Sequence, residues 1–245
     1  MALSCRQKLI RILLGLYWIS ILLLTHMHIP QLVREAQVSD KALHVLAYLI
    51  LVFLLWFAVK PDSKVNWRKA SVWWVFLLVS GYGLVDEWLQ SFSAGRSASI
   101  GDFLANLVGI AGGLVLFTFL SFRPSLLVVT GIVIFGITNL TRTNPAELLP
   151  VMNVIFHLVG HGFFAFLWIQ QLNRYSRLKV PELKWLMAVI VVPVCFLLVV
   201  KLFPLVRGRE FALQDVIVSL GAILAVVSIA LLSAVLSKRA GKTER

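Results

Sequence analysis

Apolar runs of about 16 to 24 residues recur along the whole chain, close to the length a helix needs to cross a bilayer. Eight such stretches can be delimited, at roughly 9–25, 42–59, 70–86, 103–121, 125–140, 150–171, 184–203 and 213–236. Helix- and turn-breaking residues separate them: Pro30, Pro61-Asp62-Ser63, Ser93-Ala94-Gly95, Pro124, Asn144-Pro145, Pro181 and Gly208. Lipid offers no water to unpaired backbone groups, so segments of this kind fold as helices. The expected fold class is all-α, a polytopic membrane protein with eight transmembrane helices. Composition agrees. Only 14% of the 245 residues are charged, against 60% hydrophobic, and the mean hydropathy is +0.91. A soluble domain carries about a quarter charged residues. A soluble enzyme, a disordered tail and a disulfide-stapled secreted module are excluded.

The formal charge of +12 would suggest nucleic acid in a soluble protein. Here it reads as topology, because basic residues gather in cytoplasmic loops, and no basic helix or aromatic-basic surface suggests nucleic acid as a partner. Sixteen Lys and Arg fall at the start of span 1, in the 60–69 and 174–184 loops, at Arg123 and in the tail. Seven fall on the other side: Arg34, Lys41, Arg96, Arg142, Lys201, Arg207 and Arg209. Both termini are therefore expected in the cytoplasm. No small-residue cleavage site follows Leu24, so the first stretch reads as an uncleaved signal anchor. Cys5 and Cys195 stand in unlike surroundings, and no disulfide is expected between them. Acidic residues show the opposite asymmetry. Asp62, Glu182 and Glu244 fall inside and the other eight at or just within the outer face. Acids contribute little to insertion, so this second bias needs another cause.

Shifting the chain by 113 residues lays spans 1–4 on spans 5–8 without gaps. His44 then meets His157, Gly95 meets Gly208, Arg96 meets Arg209, Asp102 meets Asp215, and Asp40 meets Asn153. Units with an even number of spans share one orientation, which predicts two parallel four-helix repeats. The expected domains are 1–122, a first unit carrying the polar motifs; 123–236, a degenerate second unit; and 237–245, a basic cytoplasmic tail. Lys41, Asp86, Glu87, Gln90 and Asn106 face Val154, Val199, Val200, Phe203 and Ser219 in the second copy, so any site belongs mainly to the first.

Three elements converge there. Span 2 opens with Asp40-Lys41 and continues on one helical stripe through His44 and Tyr48. Span 3 ends with Asp86, Glu87 and Gln90. After a loop carrying Gly95-Arg96-Ser97-Ala98-Ser99, span 4 opens with Asp102 and continues on one face through Asn106, Gly109 and Gly113. These polar groups reach into the outer half of the membrane, where ionisable side chains are costly and are expected to face the bundle and pair. The glycines allow close helix approach. Plainer roles stand beside this one. Asp40 and Asp102 can serve as N-caps or dipole partners, and Arg96 with Asp102 can form a structural ion pair. Adjacent Asp86 and Glu87 point about 100° apart and need not share a pocket; His44 taken singly reads as a packing histidine. A divalent metal held by His44 and two carboxylates would bridge to phosphate, but no compact ligand spacing supports it, and neither metal nor cofactor is expected. His157 and His161 stand at i and i+4 but lack the glutamate of a zinc-protease helix, so packing or pairing with Asp215 is expected. Ser97 and Ser99 lack a nucleophile elbow. Pro193 could break span 7, as in a carrier.

The stretches D-K-A-L-H-V-L-A-Y at 40–48, D-E-W-L-Q at 86–90 and G-R-S-A-S-I-G-D-F-L-A-N-L-V-G at 95–109 resemble the VanZ-like family, which includes the teicoplanin-resistance protein of glycopeptide-resistance clusters. The resemblance covers residues 40 to about 121. Ala94 stands where that family often has proline, and the second half is similar only at His157, Gly208-Arg209 and Asp215. The resemblance implies a bacterial inner-membrane protein of the cell envelope and implies no reaction. The reading that follows is an outer-face pocket with His44, Asp86, Glu87 and Asp102 managing protons. Asp40, Lys41, Tyr48, Gln90, Arg96 and Asn106 would bind an envelope component such as a lipid-linked saccharide or peptidoglycan precursor. A non-catalytic scaffold and a transporter are the alternatives.

Overall fold

The computed structural model describes residues 4–26, 39–92, 98–140, 149–178, 180–206, 208 and 212–243. They form eight helices and, among the described residues, no strand: α1 Cys5–His26, α2 Asp40–Val59, α3 Ala70–Gln90, α4 Ile100–Phe119, α5 Phe122–Leu140, α6 Pro150–Tyr175, α7 Leu183–Val206 and α8 Leu213–Thr243. Among the described residues, seven of them, α2 to α8, are long and apolar enough to cross a membrane. Helix α1 opens on Arg6, Lys8 and Arg11 before its own apolar stretch. Large apolar side chains point outward along the helices, for example Trp74, Leu77, Leu84 and Trp88 on α3. The chain is a polytopic helical membrane protein.

Two proline expectations are corrected. Pro124 does not separate two spans; α5 begins two residues earlier at Phe122, because proline is tolerated in a first turn, where its missing N–H would be unpaired anyway. Pro193 and Pro204 both lie inside a continuous α7 and do not break it. Gly208 behaves as expected of a stop after α7. Its φ of +70° is a backbone conformation that side-chain-bearing residues rarely adopt.

The helices cluster into two compact units, Met1–Val129 and Thr130–Arg245. In the first unit, α2 and α4 form the closest pair, with α1 and α3 packed around them. Their approach is set by glycine. A Cβ on Gly109 would stand 2.4 Å from the Val45 carbonyl oxygen, and one on Gly113 would stand 2.6 Å from Val52 Cγ1. One end of this unit is tied by an aromatic cluster of Phe53, Phe57, Phe117 and Phe122. The Arg6–Asp62 ion pair at 2.5 Å and the Val65 N–H to Phe117 carbonyl bond lie at the same end. The other end, where α2 and α4 begin and α3 finishes, is the polar one. In the second unit α6, α7 and α8 pack together around Ala165, Ile169, Trp185, Val189, Leu197, Ile223 and Val227.

Candidate functional site

The polar end of the first unit is assembled from three helix termini. Serines, not aspartates, take the N-cap positions: Ser39 precedes α2 and Ser99 precedes α4. Asp40 and Asp102 stand one and three residues further on, in the first turns, where a carboxylate complements the helix dipole. The N-cap role is thus corrected for both. Ser99 Oγ accepts from the Asp102 N–H at 3.3 Å, which gives that serine a capping task rather than a nucleophilic one.

In a capping box, the acidic residue three positions after the cap would return to the cap's own N–H. Here that N–H donates to Glu87 Oε1 from α3, at 2.6 Å. Asp102 is released from the cap and turns instead toward α2. One ligand atom each from Asp40, His44 and Asp102 lies within 4.8 Å of the others. His44 is buried, and its Nδ1 meets Asn106 Oδ1 at 2.9 Å. That bond places the ring proton on Nδ1 and leaves the Nε2 lone pair facing Asp40 Oδ1 at 3.8 Å. The grouping runs from the buried imidazole to the exposed Asp40 carboxylate.

Asp86 and Glu87 are both buried, at 1% and 5% exposure. The 100° between neighbours on a helix sends them to different partners. Asp86 accepts from Gln90 Nε2 at 3.1 Å and sits beside Tyr48 and Tyr82. Glu87 lies within electrostatic range of His44 and Asp102, and its second oxygen, Oε2, is buried without a hydrogen-bond partner. The Asn106 Nδ2 is likewise buried and unpartnered. Lys41 is exposed and lies over the first turn of α4; a Cβ on Gly101 would stand 3.0 Å from its Cε. Of the expected site residues, Asp40, His44, Asp102, Asn106 and Glu87 come together around the start of α4. Asp86, Gln90 and Tyr48 form the deeper neighbouring group. Arg96 and Ser97 lie outside the described residues.

The second unit holds more charge than expected. Lys201 and Asp215 are buried at 5% each and pair at 2.8 Å through Nζ and Oδ2. Asn153 Nδ2 donates to Asp215 Oδ1 at 2.6 Å, and His157 Nε2 lies 3.3 Å from Asp215 Oδ2 and 3.2 Å from Lys201 Nζ. Ser219 Oγ stands 3.4 Å from His157 Nδ1 and 3.2 Å from His161 Nδ1. The expected His157–Asp215 pairing is present. Lys201, counted from sequence among the outer-side cations near the end of the 184–203 span, is buried within α7. Its position inside an otherwise apolar run was the signal that could have found it. The His44–Asn106 and His157–Ser219 contacts both join residues 62 apart in sequence.

A helical membrane unit whose termini bury a histidine, an asparagine and two carboxylates against an exposed apolar rind defines the class. Residues 10–123 match the model of the VanZ/LLP1 family, which supports a VanZ-like reading of the first half of the chain. No curated protein and no solved structure matches the chain.

Proposed function

We propose that this VanZ-type membrane protein recognises a cell-envelope component at the extracytoplasmic face. The site is the polar end of its first unit, and an anionic group such as the phosphate of a lipid-linked saccharide or peptidoglycan precursor is the feature recognised. In this reading both termini are cytoplasmic. Residues 1–122 are the working unit, 123–236 a second copy of the same design, and 237–245 a basic tail. One observation carries it: the buried Glu87 oxygen and the Asn106 amide, both without partners, sit beneath an exposed Lys41 and Asp40. A group that served folding alone would gain from satisfying those atoms, since a buried unpaired polar group costs about 1–3 kcal/mol. The start of α4 and Lys41 suit a phosphate. In this reading Glu87 and His44 exchange protons with what binds.

The second unit favours a different reading for itself. Its charges are mutually satisfied, with His161 Nε2 the unpartnered ring nitrogen of that cluster, and the paired charges fit a scaffold.

Glu87→Gln tests the recognition site. The amide oxygen retains the bond from the Ser99 N–H, so folded yield by fluorescence-detected size exclusion should match the parent. Envelope phenotype, read as teicoplanin susceptibility and lipid-linked precursor pools, should fall to that of a deletion strain. An unchanged phenotype at normal yield rejects the site. Orientation has its own test. With Cys195 replaced by alanine, a membrane-impermeant maleimide on intact cells should leave Cys5 unlabelled and should label a cysteine introduced by Ala98→Cys. The reverse pattern rejects the assigned sidedness.

A further inference from the structure

The two clusters handle one electrostatic problem in two ways. In the second unit, an imidazole Nε2 and a carboxylate converge on a cation supplied by the chain itself. The Lys201 ammonium stands 2.8 Å from Asp215 Oδ2 and 3.2 Å from His157 Nε2. The other ring nitrogen of His157 is held by Ser219. In the first unit, the residues 113 positions earlier are His44, Asp102 and Asn106, and the histidine is again held by its Nδ1 with Nε2 facing carboxylate. There the carboxylates have increased to two, because Asp40 stands where the second unit has Asn153. The ammonium has gone as well. The position matching Lys201 is Trp88, which points outward at 60% exposure. Among the described residues no ammonium or guanidinium lies within ion-pair distance of Asp40 or Asp102. Glu87 adds a third carboxylate within electrostatic range of His44 and Asp102, and its Oε2 is buried without a partner.

We propose that Asp40, His44 and Asp102 bind a divalent metal cation, which takes in the first unit the place that the Lys201 ammonium takes in the second. The ligands are one oxygen from each aspartate and His44 Nε2. Asn106 is the orienting partner. A metal-bound histidine characteristically donates its other N–H to an oxygen, which fixes ring and tautomer, and the 2.9 Å contact to Asn106 Oδ1 provides that. One imidazole with two carboxylates suits zinc or manganese. Asp40 is exposed, so the cation would be reached from the polar end and would keep open positions for water or an anionic oxygen. This inference does not rest on the envelope reading, and its test contains no envelope measurement.

The full chain, purified in detergent and stripped with a chelator, is titrated with Mn²⁺ by the loss of the free-ion electron paramagnetic resonance signal. Zn²⁺ is followed by elemental analysis. One tightly held equivalent per chain is expected. Asp40→Asn, at an exposed position that leaves the core untouched, should weaken binding at least 100-fold. Asn106→Ala, which touches no metal, should weaken it about 10- to 100-fold. The converse construction is more stringent. Lys201→Met combined with Asn153→Asp gives the second unit the first unit's ligand set, and a second equivalent should appear. A folded parent chain that takes up neither ion overturns the proposal. Undiminished binding in Asp40→Asn overturns it as well.

Discussion

Gly109→Ala should cost the first unit its packing, whereas Gly112→Ala on the same helix should leave it intact. A Cβ at 109 would lie 2.4 Å from the Val45 carbonyl oxygen and 3.1 Å from the Leu49 amide nitrogen, whereas one at 112 meets nothing within 4 Å. The obstacle at 109 is backbone, so no rotamer change relieves it, and α2 must move away from α4. Overpacked cores lose about 1–3 kcal/mol, occasionally more; an immovable obstacle belongs at the upper end. The fall in melting temperature should be about 10 °C, read by thermal size exclusion of the detergent-solubilised protein. Because His44 on α2 meets Asn106 on α4 one turn from this crossing, Gly109→Ala should also loosen the site. A melting point unchanged from the parent would show that the helices do not approach as closely as this structure has them.

The class of the fold was legible because lipid makes length and apolarity decisive: each of the eight apolar runs became a helix. The proline misreadings have one cause. Proline disrupts a helix through a lost N–H bond and a clash with the preceding turn, and sequence alone does not show whether a helix has yet begun, as at Pro124, or absorbs the defect, as at Pro193. The polar residues of the first unit were legible because lipid excludes them. Their pairings were not. That Asp102 joins His44 follows from Glu87 taking the Ser99 N–H, a contact between two helices that no spacing along one helix reveals. The ligands of the proposed metal site come from the starts of α2 and α4, so no short motif carries them. Lys201 lay within its expected span, but a lysine near the end of an apolar run reads as an outer-side cation until a buried Asp215 is found opposite it.

Asp215→Ala should unfold the second unit more severely than any single change of comparable size in the first. It would strand the Lys201 ammonium, 5% exposed, without its counter-charge, and would take a partner each from Asn153 and His157. Breaking a buried pair by removing one member costs about 3–5 kcal/mol. Low folded yield and a melting point lowered by at least 10 °C are expected. Removing both charges is a different matter. Lys201→Met with Asp215→Leu exchanges a desolvated ion pair for apolar packing, a replacement that is often neutral or stabilising, so most of the lost stability should return. A double variant as unstable as Asp215→Ala would mean that the cluster is held by its neutral members, Asn153, His157 and Ser219, rather than by charge. The contrast with Glu87 is the physical core of the comparison. Neutralising Glu87 removes a buried charge whose second oxygen has no partner, so the fold should tolerate it or gain. Neutralising Asp215 removes the carboxylate that pairs with the buried Lys201 ammonium. A cluster whose loss harms only folding is structural; one whose loss spares folding is kept for what it binds.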